Sequence, residues 1–152
     1  MKCFYIIGYH GCGKTTQANL LETVYPHYNY LGGKSGLDAV GSVRELMTLV
    51  RQSASDMVIH GCIFQTEPTI ERLSRATDLR LIVLYSMPDV VKQRTLARGA
   101  KEYNPAKFKV HYSFIKKLPE FKKKYRFRLH VVDNNASIEQ VHAELRAICA
   151  QS

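Results

Sequence analysis

The sequence has no tryptophan, no C-x-x-C pair and no cysteine–histidine spacing typical of a zinc site. It also has no apolar run of about 18 residues, which excludes an ordinary transmembrane helix. Because the N-terminus lacks the pattern of a signal peptide, we expect a cytosolic protein. The four scattered cysteines are then expected to be reduced thiols; they are Cys3, Cys12, Cys62 and Cys149.

Acidic residues are scarce in one third of the chain. Residues 90–130 contain 13 lysines and arginines but only two acidic residues, Glu102 and Glu120. The whole chain has a formal charge of +9, so this segment holds all of the positive excess. Such a concentration of charge predicts a polyanionic partner, DNA or another nucleic acid. A lysine-rich helix that only keeps the protein soluble would explain the same composition.

Short apolar runs alternate with helical patterns along all 152 residues, a length typical of one domain. The predicted strands are residues 3–7, 28–31, 57–60, 81–85 and 129–132. The predicted helices are residues 14–24, 37–52, 67–76, 88–98, 105–124 and 138–150, with capping residues Thr66, Ser86 and Ser137 before three of them. Two strands, CFYII and LIVLY, are apolar on both faces and therefore belong in the centre of the sheet. The sequence predicts an α/β fold with three layers.

The stretch GYHGCGKTTQ follows the first predicted strand directly. Gly8, Gly13, Lys14 and Thr15 fit the pattern G-x-x-x-x-G-K-[ST], with a strand before it and a helix after it. Backbone N–H groups of such a loop surround phosphates, the lysine reaches the β- and γ-phosphates, and the hydroxyl binds Mg²⁺. A glycine-rich turn without a ligand is the alternative. The predicted cofactors are ATP and Mg²⁺, and the predicted loop contacts are Gly8, His10, Gly11, Cys12, Gly13, Lys14, Thr15 and Thr16.

Two other motifs of phosphate-loop proteins are missing. The base-reading motif N-K-x-D of guanine-binding switches is absent, and the late loop reads DNNAS instead, where Asn134 is a further predicted nucleotide contact. Motor ATPases end a strand beside the loop in acidic residues, whereas the corresponding strand here reads MVIHG. His60 therefore stands at the place of the acid, either as a strand-end histidine with a structural hydrogen bond or as part of the site.

The motif GCGKTTQANLLE, followed by a short second strand and a basic lid, resembles the P-loop nucleoside, nucleotide and nucleic-acid kinases. Its first part is similar to thymidylate kinases. The segments VIHGCIFQTEPTIERL, LRLIVLYSMPDVVKQRTLARG and AKEYNPAKFKVHYSFIKKLPEF are more similar to the polynucleotide 5′-hydroxyl kinases. The resemblance implies a parallel sheet in the order 2-3-1-4-5, helices on both faces and a lid at about residues 98–106.

Arg94 and Arg98 are four residues apart and share one face of their predicted helix. The resemblance assigns such arginines to a lid that closes, here together with Lys101, over the β- and γ-phosphates. Phosphoryl transfer is catalysed largely by positioning and charge neutralisation, so we expect Arg94 and Arg98 to act with Lys14 in catalysis. Cations that only stabilise a helix C-terminus are the alternative.

In polynucleotide kinases an aspartate after the second strand accepts the proton of the attacking hydroxyl. Asp38 is the only acid in the corresponding stretch before Glu45, so it is the candidate general base, with a helix N-cap as the alternative role. Substitutes for this base are Asp56, His60 and Glu67. The glycine-rich surroundings of Asp38 suit close approach to a ligand.

The acceptor is predicted to be a hydroxyl group of a nucleic acid. The chain has room for little more than one helix between its second and third strands, which leaves the acceptor side open for a polymer. The basic helix also carries aromatic residues that either stack on bases or pack in the core; they are Phe108, Tyr112, Phe114, Phe121 and Tyr125. A terminal 5′-hydroxyl and 5-hydroxymethyluracil in DNA, the substrate of small phage enzymes with a similar plan, are both plausible acceptors. A small nucleotide kinase and a non-kinase switch or ATPase are the alternatives.

Overall fold

The computed structural model describes residues 1–9, 12–32, 40–60, 65–97, 99 and 105–152, apart from the side chain of Lys107. Strands and helices alternate along this part of the chain. The strands are β1 (Lys2–Ile7), β2 (Asn29–Leu31), β3 (Met57–His60), β4 (Asp78–Tyr85) and β5 (Arg128–Asp133). The helices are α1 (Lys14–Val24), α2 (Val43–Gln52), α3 (Glu67–Ala76), α4 (Pro88–Ala97), α5 (Pro105–Lys124) and α6 (Ile138–Cys149).

The five strands form one parallel sheet in the order β2-β3-β1-β4-β5. Side chains of β1 alternate between its two faces. Tyr5 and Ile7 belong to a core that includes residues of α2, α3 and α5, whereas Phe4 and Ile6 belong to a core with α1 and α6. The predicted three-layer α/β fold and its strand order are confirmed.

The central strands are buried on both faces, as their composition predicts. Every side chain from Cys3 to Ile7 is fully buried, and burial of one isoleucine contributes about 1.5–3 kcal/mol to stability. The strand β4 begins at Asp78, three residues before the predicted start. Arg80 is fully buried in it because its guanidinium donates hydrogen bonds to the Asp78 carboxylate at 3.0 Å and to the Gln151 carbonyl at 2.5 Å.

The start of α2 also differs from the sequence prediction, which placed it at residue 37. The described helix begins at Val43, after Ser42, whose hydroxyl accepts a hydrogen bond from the Glu45 N–H at 3.2 Å. The Glu45 carboxylate in turn accepts from the Gly41 N–H at 2.8 Å. These reciprocal bonds resemble a capping box and fix the helix start at Ser42. Leu37 itself lies outside the described residues.

The other predicted caps have three different outcomes. Ser137 forms a complete capping box with Gln140 at the start of α6. Thr66 is the N-cap residue of α3, but its hydroxyl lies 3.2 Å from the Thr69 hydroxyl and makes no cap hydrogen bond. Ser86 is buried before α4 and accepts a hydrogen bond from Arg94. Only the Ser137 prediction is therefore confirmed in full.

Three thiols are described, and all of them are free and buried; they belong to Cys3, Cys12 and Cys149. Cys62 lies outside the described residues. Within the described ranges, no helix is both long and apolar enough to cross a membrane.

The end of β2 lies very close to the end of β3. A Cβ atom added at Gly32 would lie 2.5 Å from the His60 carbonyl oxygen and equally close to two atoms of its imidazole ring. We expect Gly32→Ala to destabilise the fold by about 1–3 kcal/mol, because the two strand ends would have to separate. Urea unfolding would measure the change.

Gly41→Ala is the matched control for this substitution. Its added Cβ would lie 3.6 Å from the nearest atom, an oxygen of the Glu45 carboxylate, which is ordinary contact. Equal stability of the two variants would contradict the close packing at Gly32.

Candidate functional site

The glycine-rich loop joins the end of β1 to the start of α1, as the motif predicts. A Cβ atom at Gly8 would lie 3.2 Å from the Leu84 carbonyl oxygen, so the loop starts in close contact with β4. Gly13 has φ 80°, a left-handed conformation that favours glycine. The first hydrogen bond of α1 joins the Gln17 N–H to the Gly13 carbonyl at 2.9 Å. The N–H groups of the first helical turn precede this bond and form the donor end of the helix.

Lys14 places its ammonium group inside this loop. Its side chain is 6% exposed, and Nζ donates hydrogen bonds to the carbonyl oxygens of Gly8 at 2.6 Å and Tyr9 at 2.9 Å. Gln65, which follows β3, donates to the same Gly8 carbonyl at 3.3 Å. The loop backbone and the lysine therefore hold each other in place.

Thr15 and Thr16 are exposed at the start of α1, where their hydroxyl groups are accessible. Mg²⁺ usually keeps several waters and needs few protein ligands beside the phosphates. In the described part of the chain, no group of three His, Cys, Asp or Glu residues could hold a metal ion alone. One threonine hydroxyl at a phosphate loop fits Mg²⁺ that arrives with a nucleotide.

Asn134 connects the loop to the neighbouring strand ends. It is buried in the turn after β5, its side-chain amide donates to the Cys12 carbonyl, and its N–H donates to the Tyr85 carbonyl at 2.8 Å. Its own carbonyl accepts a hydrogen bond from Arg94 Nη2 at 2.8 Å. Asn134 therefore holds the backbone of the phosphate loop, and its role as a direct nucleotide contact stays a prediction.

Arg94 reaches the same place from α4. Its guanidinium is half-buried and also donates to the Ser86 hydroxyl at 3.4 Å. The structure thus connects Arg94 to the phosphate loop through Asn134, and its action on phosphates stays a prediction. The pairing of Arg94 with Arg98 cannot be followed, since Arg98 and most of the predicted lid lie outside the described residues.

The first half of α5 packs Phe108 and His111 against Tyr9 of the phosphate loop. Tyr9 makes an edge contact with Phe108 at 5.3 Å between ring centroids and lies 5.8 Å from His111. Burial, and next the positive charge of Lys14, lower the pKa of His111 to about 4. The imidazole is therefore neutral at neutral pH, and its Nε2 is buried without a hydrogen-bond partner among the described residues.

Sequence reasoning missed His111 and Gln65 as neighbours of the loop. His111 belongs to the inward helical face formed with Phe108, Ile115 and Leu118, so the spacing of that face was a usable signal. Gln65 follows a strand in the sequence but carries no local motif. Only the tertiary fold brings it to Gly8.

Cys12 was predicted to contact nucleotide. Burial raises the pKa of its thiol, and the nearby Lys14 charge opposes this only in part. The thiol is therefore neutral at neutral pH and is unsuited to nucleophilic chemistry. Its carbonyl accepts the Asn134 amide, so this residue serves the loop through its backbone.

Two of the substitutes for the general base make hydrogen bonds elsewhere in the fold. Asp56 accepts a hydrogen bond from the N–H of Lys2 at 2.8 Å, at the opposite end of β1 from the loop, about 16 Å away at strand rise. The Glu67 carboxylate of α3 accepts from the hydroxyl of Tyr125, the residue after α5, at 2.8 Å. His60 is buried against Gly32 at the end of β3, and its part in the site stays a prediction. Asp38, the first choice, lies outside the described residues, as do His10 and Gly11.

Most of the aromatic residues of α5 pack inward. Phe121 is buried, and Phe114 and Tyr125 pack against the same core, so core packing explains these three. Phe108 and Tyr112 stack at 6.0 Å beside the phosphate loop. The described lysines of this helix have exposed side chains; they are Lys109, Lys116, Lys117, Lys122, Lys123 and Lys124.

No protein-family model matches the sequence, and no curated protein matches it. Solved structures, in contrast, match over nearly the whole chain. The YorR protein from Bacillus subtilis, solved in complex with phosphorylated GDP, superposes with a TM-score of 0.68 at 16% identity, over 97% of this chain and 95% of that one.

Two kinases give similar superpositions. A deoxyadenosine kinase from M. mycoides with bound dATP has a TM-score of 0.67 at 11% identity and covers 99% of this chain and 100% of its own. A gluconokinase from Sinorhizobium meliloti 1021 has a TM-score of 0.62 at 15% identity, with 96% and 90% covered. Such low identities establish the fold alone, and this chain has the three-layer αβα fold of the P-loop kinases.

Proposed function

We propose that this protein is an ATP-dependent kinase that transfers the γ-phosphate to a hydroxyl group of a nucleic acid. The observation that carries the kinase activity is the buried Lys14 ammonium inside the loop between β1 and α1. Arg94 stands beside this loop, linked to it through Asn134. Lys14 and Arg94 would both lie near the bound phosphates. Two such cations suit phosphoryl transfer, because the negative charge of the transferring phosphoryl group has to be neutralised.

Each residue of the site has its own role in phosphoryl transfer. Loop N–H groups and the first turn of α1 hold the phosphates, and Lys14 exchanges its loop carbonyls for β- and γ-phosphate oxygens. Thr15 is the ligand for Mg²⁺, which neutralises charge on the phosphates when bound. Arg94, with Arg98, stabilises the transferring phosphoryl group. Asp38 receives the proton of the attacking hydroxyl, whose oxygen forms a bond to the γ-phosphorus as the bond to ADP breaks.

The charge distribution supports a nucleic-acid acceptor. The exposed lysines of α5 extend from a helix whose first half lies on the phosphate loop. A polymer with repeated phosphates can use such a surface along its length, whereas a small nucleoside cannot. A 5′-hydroxyl end and the hydroxymethyl group of 5-hydroxymethyluracil in DNA are the two acceptors to test.

A nucleoside or nucleotide acceptor is the second candidate, and one observation favours it. The deoxyadenosine kinase superposes over 100% of its own length on a chain of this size, so chain length does not separate a polymer from a small nucleoside. A short chain therefore does not by itself imply an acceptor side that is open to a polymer.

The test is incubation with γ-labelled ATP and Mg²⁺ in parallel with five acceptors: a nucleoside mixture, nucleoside monophosphates, a 5′-hydroxyl oligonucleotide, an otherwise identical 5′-phosphorylated oligonucleotide, and DNA with 5-hydroxymethyluracil. We expect label in the 5′-hydroxyl oligonucleotide or in the DNA with 5-hydroxymethyluracil, and little in the 5′-phosphorylated oligonucleotide or the small molecules. Label in DNA that has 5-hydroxymethyluracil and phosphorylated 5′ ends would identify the base as acceptor.

Other distributions of label would change the assignment. Label confined to free nucleosides or nucleotides would replace the nucleic-acid acceptor with the second candidate. Release of inorganic phosphate with no labelled acceptor in any pool would contradict the kinase and favour a phosphate-loop ATPase.

A further inference from the structure

A second positive surface lies away from the phosphate loop, in a groove between α2 and α3. The groove has a volume of about 530 Å³ and is lined by Arg44, Met47, Arg51, Arg72, Arg75 and Ala76. Four of the six lining residues are arginines, and all four are exposed. This arginine groove lies outside the basic segment of residues 90–130.

The charge of the arginine groove is only partly balanced. Arg75 pairs with Glu71 at 2.8 Å one helical turn away, but its side chain remains 74% exposed, so this pair adds little to stability. Glu45, the acidic neighbour of Arg44, is engaged at the helix start by the Gly41 N–H. Like charges around one groove repel one another, and an anion in the groove would relieve that repulsion.

Arginine in this setting favours phosphate over a simple counter-ion. Its planar guanidinium binds phosphate oxygens in pairs and also stacks on flat rings, which lysine does not do. Arg44 and Arg51 are seven residues apart on α2, about 10 Å along the helix axis. That distance is long enough for the two guanidinium groups to contact different phosphates of one strand.

The arginine groove and the lysines of α5 are on the same side of the sheet. The helices α2, α3 and α5 all pack on the core that contains Tyr5 and Ile7. The Tyr125 hydroxyl and the Lys124 ammonium both contact Glu67 of α3, which brings the end of α5 against α3. On the opposite side, α6 carries Glu139 and Glu144 against the single arginine Arg146, a net charge of −1.

We propose that the arginine groove binds the phosphodiester backbone of a single nucleic-acid strand. The inference deepens the proposed nucleic-acid acceptor, on which it rests, by stating where the strand lies beyond its reacting end. The strand would contact the groove with its phosphates and continue across the face that α5 shares with α3.

The experiment is fluorescence anisotropy with a labelled 20-nucleotide single-stranded DNA, without ATP, over a range of salt concentrations. The double variant Arg51→Gln/Arg72→Gln should weaken binding by about tenfold near 100 mM salt. The slope of log K against log salt should fall by about 1.4, or about 0.7 for each lost phosphate contact. Each single variant should give about half of the change in slope. The single variants therefore provide the measurement if the double variant fails to fold.

Arg146→Gln is the matched control, because Arg146 is an exposed arginine on α6 at the opposite face. It should leave DNA binding within about twofold of the wild type, since it lies outside the groove. All variants should bind ATP as the wild type does, which shows that the phosphate loop is intact.

Several results would overturn the arginine groove as a strand site. They are unchanged DNA binding in the double variant, an equal loss in Arg146→Gln, or displacement of the DNA by polyglutamate at equal charge concentration. Wild-type protein that phosphorylates nucleosides but does not bind DNA would overturn the groove and leave the kinase. DNA binding that needs the arginines, in a protein that transfers no phosphate, would support the groove and overturn the kinase.

Discussion

Lys14→Ala will abolish phosphate transfer to every acceptor, with kcat lowered by about a thousandfold or more. The substitution removes the cation that is expected to reach the β- and γ-phosphates, and that donates to the Gly8 and Tyr9 carbonyls of the loop. Transfer from γ-labelled ATP in single-turnover conditions would measure the chemical step. Nucleotide affinity, measured separately with a fluorescent ATP analogue, should fall much less than the rate.

A second variant separates charge from loop structure. Lys14 also donates to the Gly8 and Tyr9 carbonyls, so alanine removes donors that hold the loop. Lys14→Gln keeps a hydrogen-bond donor but has no charge. It should preserve thermal stability better than alanine and yet be almost as inactive, and retention of a tenth of the wild-type rate would contradict the charge argument.

Arg94→Ala will lower the transfer rate by about 10²–10³. The guanidinium donates to the Asn134 carbonyl and the Ser86 hydroxyl beside the loop, and we expect it to stabilise charge that develops during transfer. The change should appear mainly in kcat, with a smaller effect on KM for ATP. Arg94→Lys should recover only part of the rate, because an ammonium lacks the paired donors of the planar group.

Lys92→Ala is the control for Arg94, since it removes an exposed cation from the same helix. Its transfer rate should stay within about twofold of the wild type, as for most surface charges. An Arg94→Ala enzyme that is no slower than Lys92→Ala would show that Arg94 serves only to hold Asn134 and Ser86.

Local pattern was sufficient for the phosphate loop and for the central place of two strands, whereas the full strand order came from the resemblance to P-loop kinases. The spacing from Gly8 to Thr15 is short, and two strands buried on both faces can occupy only the centre of the sheet. Arg80 could not be foreseen as a core residue, because the Gln151 carbonyl that accepts a hydrogen bond from its Nη1 is 71 residues away. The neutral state of His111 likewise depends on burial and on Lys14, which the fold alone brings near.

Prediction of the surface was less successful than prediction of the core. The lysines of α5 are a visible run in the sequence, but the arginine groove is assembled from α2, whose net charge is only +1, and α3, whose net charge is zero. Arg72 and Arg75 share α3 with Glu67 and Glu71, so their segment has no net charge. Only packing of α2 against α3 places their guanidinium groups together with Arg51.

The hydrogen bonds of Lys14 to the loop carbonyls have a consequence for turnover. Since the ammonium has partners within the loop, a phosphate that enters takes the place of those partners. Binding then breaks two hydrogen bonds to neutral carbonyls as it forms contacts with charged oxygens, so its net free energy is smaller than that of an ion pair made by a free ammonium. In the proposed kinase, departure of ADP is eased in the same measure, because Lys14 returns to the Gly8 and Tyr9 carbonyls as the product leaves.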